Sequence, residues 1–121
     1  MTFSRIQKLS EFEKDLKKLI KKHKSLDEDL KIFIEYQLEL FHKQGIDNGG
    51  IVQIPGLGFE HPKVFKARKF ACKYLRGKGG NSGIRVIYAY FTAEDRIEFI
   101  EIYFKGKKVN EDKERIKKHY Q

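Results

Sequence analysis

The sequence predicts an α+β domain in the order β-α-α-β-β-β-α: a small twisted, largely antiparallel sheet with two N-terminal helices packed on one face. Three observations predict it. Two consecutive segments, 9–20 and 26–41, repeat apolar residues at helical spacing. Three strongly apolar segments, 64–75, 82–91 and 96–104, follow and are separated by turn residues. A last segment, 111–120, carries its acids first and its bases last, as a helix dipole favours. Residues 1–121 are read as a single domain.

Each element has its own reason. "TFSRI" at 2–6 reads as a short first strand. Ser10 precedes Glu13 at the spacing of a capping box, and Leu9, Phe12, Leu16, Leu19 and Ile20 form one apolar stripe behind it. Ser25 and Glu28 repeat the capping signal before a second stripe, Leu26, Leu30, Phe33, Gln37, Leu40 and Phe41. The short "KHKS" link between the helices predicts an antiparallel hairpin. Residues 45–63 are rich in Gly and Pro and read as a long loop, within which "IVQI" suggests a short strand.

From Val64 the period changes to two. Phe65, Ala67 and Ala71 are expected on one face, with Lys66 and Arg68 on the other. "GKGGNSG" reads as a hairpin turn: it lacks the order of a phosphate-binding loop and precedes a strand, not a helix. "TAED" is the turn between the last two strands, and Asn110 is the expected cap of the last helix. Two helices on one face would leave the other face of the sheet open.

Composition narrows the function. The formal net charge is +9, from 26 Lys+Arg against 17 Asp+Glu, which points to an anionic partner or simply to solubility. The single cysteine, Cys72, cannot form an internal disulfide and suits a reducing, cytoplasmic setting. No apolar run is long enough for a membrane span. His23, His42, His61 and His119 show no metal-ligand spacing, so no metal or other cofactor is expected. The lysines of "KKLIKKHK" read as a solvated helix face or as a patch for phosphate backbone.

The remaining candidates are cations arranged by the sheet. Lys66 and Arg68 sit two apart on one expected strand and Lys69 is adjacent. Arg85 lies near the start of the next apolar strand, where an unpaired charge would be costly. It requires either an anion or a salt bridge, to Glu98 or Glu101. Lys105, Lys107 and Lys108 leave the end of the last strand. Tyr74, Tyr88, Tyr90 and Tyr103 lie nearby in sequence and suit base stacking or the core.

"VFKAR", "SGIRVIYAY" and "IEFIEIYFKGKKVNEDKERI" together resemble the RelE/ParE superfamily of toxins from type II toxin–antitoxin pairs, within it the RelE/HigB-like branch. The resemblance implies a metal-independent endoribonuclease that cuts mRNA, typically on the ribosome, and a cognate antitoxin as partner. In that chemistry the ribose 2′-hydroxyl attacks the adjacent phosphate. On the resemblance, Lys66 and Arg68 match a basic strand pair, Arg85 the phosphate holder of S-G-x-R-x-x-Y, and Lys105 or Lys108 a further cation. His119 and Tyr120 resemble the terminal His-Tyr of the YoeB branch, with Tyr103 a competing aromatic. Lys66, Arg68, Lys69, Arg85, Lys105, Lys107 and Lys108 would form the RNA-binding set. The resemblance leaves the acid–base pair open. It also leaves open a ParE-type inhibitor of DNA gyrase and a non-catalytic RNA- or protein-binding module on the same fold.

Overall fold

In a computed structural model describing residues 3–75 and 82–121, five strands form one sheet in the order β1-β5-β4-β3-β2. The strands are β1 (Arg5–Lys8), β2 (Ile51–Gln53), β3 (Lys63–Ala67), β4 (Ile84–Phe91) and β5 (Arg96–Phe104). β1 runs parallel to β5, and every other pairing is antiparallel. The helices are α1 (Ser10–Ile20), α2 (Leu26–Ile32), α3 (Glu39–His42) and α4 (Lys113–Tyr120). The expected α+β order is present, and "IVQI" does contribute a strand. The "GKGGNSG" turn lies largely outside the described residues.

α1 and α2 cover one face of the sheet. Phe12, Leu16, Leu26 and Leu30 meet Val86, Tyr88, Ile97 and Phe99 there, and all eight are buried. The second stripe departs from simple helical spacing. A π-helical stretch, Phe33–Leu38, joins α2 to α3 and adds a residue to the turn. The extra residue advances the buried position from Gln37 to Leu38, which is 0% exposed, and leaves Leu40 at 37%.

Neither serine forms the expected capping box. Ser10 is already inside α1, whose cap is Leu9. Ser25 caps α2 only by position; its hydroxyl donates to Asp29 instead, at 2.6 Å.

The strand expected over 64–75 ends at Ala67. The reason is a better set of hydrogen bonds elsewhere. The Arg68 amide donates to the Gly50 carbonyl at 2.7 Å, and the Lys73 and Tyr74 amides donate to the Asp29 carboxylate and the Ser25 hydroxyl. The chain turns out of the sheet, and the buried parity changes: Phe70 and Cys72 enter the core while Ala71 is exposed.

The second face of the sheet is not open, as the two-helix arrangement predicts. α4 and residues 54–62 cover it, burying Ile54, Leu57 and Ile116 against Val64, Ile87, Ala89 and Ile100. α4 is capped by Asp112, whose side chain accepts from the Arg115 amide at 3.1 Å, and not by Asn110. Arg115 then fastens α4 to α1 through Asp15 at 2.7 Å and to the sheet through the Ile100 carbonyl at 2.9 Å. Ile100 faces no residue of β4, since Ile87 pairs with Glu101 and Tyr88 with Phe99. That bulge frees the carbonyl which Arg115 takes up.

Candidate functional site

The second face carries charge as well as apolar surface. In the ladder Lys66 pairs with Ile87, and Arg85 pairs with Tyr103. Ile87 and Arg85 are two apart on β4, so Lys66, Arg85 and Tyr103 emerge on the same face as near neighbours. Glu101 joins them, because the bulge at Ile100 places residues 100 and 101 together on this side. The segment Lys105–Asp112 leaves β5 and crosses over them before α4 begins.

That segment supplies two ion pairs. Glu111 accepts from the Lys66 ammonium at 2.9 Å, and the two side chains are 10% and 18% exposed. Lys108 pairs with Glu101, which also accepts from the Asp112 amide at 2.8 Å and is 2% exposed. The Lys108 ammonium stands 5.8 Å from the centre of the Tyr103 ring. Burial pushes the Glu111 carboxyl up, but the Lys66 hydrogen bond and its own amide outweigh this and hold it below the usual range. Burial, with Glu111 and Glu101 nearby, pushes the Tyr103 phenol up to about 12, against a smaller pull from Arg85. The Tyr103 hydroxyl is therefore neutral near pH 7, and it is buried with no hydrogen-bond partner among the described residues.

Arg85 differs from every other arginine or lysine inside this cluster. Its guanidinium donates to the Arg68 carbonyl at 2.9 Å, and it forms no ion pair among the described residues. The two carboxylates proposed for a salt bridge are taken. Glu98 binds Arg96 and accepts from the Tyr120 hydroxyl, and Glu101 binds Lys108. Arg85 is half-buried, oriented by a backbone carbonyl, and retains its other donors for a ligand.

The structure sorts the remaining expected site residues. Arg68 lies beyond the end of β3; its side chain reaches the Gly49 carbonyl at 3.4 Å, and it serves Arg85 through its backbone oxygen. Lys69 donates to the Asn48 carbonyl at 3.0 Å, so both bases hold the 47–50 turn. Lys105 and Lys107 are exposed at the start of the crossing segment; the Lys105 amide donates to the Gly83 carbonyl across the β4–β5 pair, and the Lys107 amide closes a turn to Phe104. His119 and Tyr120 do not join the cluster. His119 faces Glu11 at 3.1 Å, and Tyr120 donates to Glu98 at 2.7 Å while packing on Phe59 and Phe91. Glu98 pairs with Ala89, four residues from Arg85 along β4, or ~13 Å at the rise of a strand. Both residues dock α4.

The tyrosines do not form a stacking platform either. Tyr88 is fully buried and bonded to His42 at 2.7 Å, and Tyr90 donates to Asp95. Tyr74 alone of the four is well exposed, at 52%. A concavity of ≈ 350 Å³ inside the 53–64 loop is lined by Ile54, Leu57, Phe59 and His61 and contains none of the clustered residues.

Glu111 does not stand out in the sequence. It sits in an acidic run that reads as the first turn of a helix, and its partner Lys66 is 45 residues away. Only the return of the chain across the sheet brings the two together.

No protein-family model matches the chain, and no curated protein matches its sequence. Among solved structures it is similar to the archaeal RelE–RelB complex from Pyrococcus horikoshii OT3, at 20% identity and a TM-score of 0.51. The match covers 88% of this chain and 98% of the archaeal one. The chain therefore has the RelE fold, as its sequence motifs imply.

Proposed function

We propose that this chain is the toxin of a toxin–antitoxin pair and acts by cutting messenger RNA through attack of a ribose 2′-hydroxyl on the adjacent phosphate. One observation carries the reading: Arg85 presents a carbonyl-oriented guanidinium, without an ion pair among the described residues, beside Lys66 on one sheet face. A planar guanidinium suits two phosphate oxygens, and the donors it leaves unused match that geometry. The net charge of +9 supports an anionic substrate. The shared RelE fold adds support, and the archaeal structure contains a RelB partner, which favours a protein partner for this chain as well.

In this reading Arg85 holds the scissile phosphate and offsets the charge that builds on it as the 2′-oxygen attacks. Lys66 contributes a second positive charge once it exchanges Glu111 for phosphate. Tyr103 is a neutral donor below them. Side-chain cations take the place of a divalent ion, so cleavage is expected to persist in EDTA.

The test is induction of the chain in a bacterial host, with mapping of message ends. New 5′-hydroxyl ends and 2′,3′-cyclic phosphates, with growth arrest, support the reading. Intact messages with inhibited DNA supercoiling would overturn it in favour of gyrase as target. Cleavage by the purified protein that vanishes in EDTA and returns with Mg²⁺ while ribosomes stay intact would overturn the side-chain mechanism.

A further inference from the structure

An attacking 2′-hydroxyl must lose a proton, and the groups on this face narrow what can take it. Facing one another are Lys66 from β3, Arg85 from β4, Glu101 and Tyr103 from β5, and Lys108 and Glu111 from the crossing segment, while Lys113, exposed on α4, adds a weaker positive influence on Glu111. Lysine and arginine ordinarily carry their protons at neutral pH, and so does a phenol pushed up to about 12. Two carboxylates remain. Glu101 is 2% exposed and bound by both Lys108 and the Asp112 amide, which fixes it as the anchor of the segment. Glu111 has a single side-chain partner, Lys66, and lies on a segment outside helix and strand.

We propose that Glu111 is the general base of the cleavage step and Lys66, its ion-pair partner, the general acid; this rests on the ribonuclease reading above. In the free protein the two are 2.9 Å apart. An entering phosphate attracts Lys66 and Arg85 and repels Glu111, so the pair opens and the carboxylate is released toward the ribose. Glu111 takes the proton from the 2′-hydroxyl. The 2′-oxygen bonds to phosphorus, the bond from phosphorus to the 5′-oxygen breaks, and that oxygen takes a proton from Lys66. The products are a 2′,3′-cyclic phosphate and a 5′-hydroxyl. Glu111 now holds the proton that Lys66 has lost, and closure of the pair returns it across their contact. No oxidant, metal or outside proton is consumed.

The alternative for Glu111 is occupation of the phosphate position as a built-in competitor. The two roles have opposite signatures. Wild type, Glu111→Gln and Glu111→Asp are compared on a 5′-labelled message with and without bacterial ribosomes, across pH 4–8, with RNA affinity measured separately. As a base, Glu111→Gln should cut a hundredfold to ten-thousandfold more slowly, the usual range for an acid–base group. Its RNA affinity should be equal or higher, since a negative charge is gone. The wild-type rate should fall on the acid side as Glu111 protonates, and the glutamine variant should lose that limb. Glu111→Asp should recover part of the rate and the limb.

A glutamine variant that cuts as fast as wild type, or faster, overturns the proposal and leaves the ribonuclease reading intact. So does a slow glutamine variant whose RNA affinity falls in proportion. A wild type that does not cut under either condition overturns both.

Discussion

The two faces of the sheet are built on different terms. Under α1 and α2 the buried residues are almost all hydrocarbon: Phe12, Leu16, Leu26, Leu30, Ile97 and Phe99, with Phe12 and Phe99 rings 5.2 Å apart. Under α4 the same sheet interleaves Ile87, Ala89 and Ile100 with Lys66, Arg85, Glu101 and Tyr103. Burying charge costs several kcal/mol per ion unless partners compensate for it. On this face Lys66, Glu101 and Glu111 are compensated, while Arg85 forms no ion pair among the described residues. The first face holds the fold together, and the second uses that rigidity to hold charges at fixed positions.

The largest effect should come from damaging the first face. Phe99 is 0% exposed at the centre of β5, against Phe12 and Tyr88. Phe99→Ala should cost about 3–5 kcal/mol in chemical denaturation, with activity lost only through unfolding. A loss below ~1 kcal/mol would show that this face does not carry the stability.

Arg85→Ala tests the second face. Removing one preorganised charge donor costs about a hundredfold to a thousandfold in rate. Stability should stay within about 0.5 kcal/mol, because no carboxylate among the described residues is stranded. Arg85→Lys should also be poor, since an ammonium cannot span two phosphate oxygens. A collapsed thermal midpoint, or a folded and fully toxic variant, would erase the distinction between the faces.

The joint between the faces should respond less. Arg115 is 14% exposed and binds Asp15 from α1 and the Ile100 carbonyl from β5. Arg115→Ala should cost about 2–3 kcal/mol, somewhat below the value for a fully buried pair. Hydrogen exchange should show α4 loosening before the helices of the first face. Uniform loosening of both faces would mean that α4 is not separately docked.

The helix-covered face was legible in the sequence because its periods are local. Leu9 to Ile20 mark α1, and 82–91 and 96–104 mark β4 and β5. Illegibility begins where a distant hydrogen bond redirects the chain. Phe70 and Cys72 are spaced two apart like strand residues, yet Asp29 and Ser25 have already drawn the backbone out of the sheet. The π-helical stretch at 33–38 shifts the buried position by one residue, which no spacing rule anticipates. For the site, Arg85 and Lys66 were readable as cations on neighbouring strands. Glu111 was not, since its place beside Lys66 depends on a chain return that carries no local signal. Nor does any local signal show that His119 and Tyr120 meet Glu11 and Glu98, contacts that hold α4.

The smallest effect concerns a titratable group packed under the first face. His42 bonds the Tyr88 hydroxyl at 2.7 Å and is ringed by Phe3, Phe41, Phe65 and Tyr90. Burial, with a smaller push from Lys43, lowers its pKa from the ordinary 6.5 to about 4. The folded protein therefore keeps His42 neutral where the unfolded chain binds a proton. Its contribution is complete above pH 6.5 and declines as pH falls toward 4. After discounting for the partly exposed ring, the decline should be of order 1–2 kcal/mol. His42→Gln can still bond Tyr88 but has no proton to gain. Denaturant titrations at pH 7, 6 and 5 should show wild type losing stability faster than the variant. The range from pH 7 to 5 matters because Asp95 and Glu111, both held below the usual carboxylate range, lose their contributions only at lower pH. Parallel slopes for the two proteins over that range would mean that the ring is solvated and that the first face is less dry than its hydrocarbon suggests.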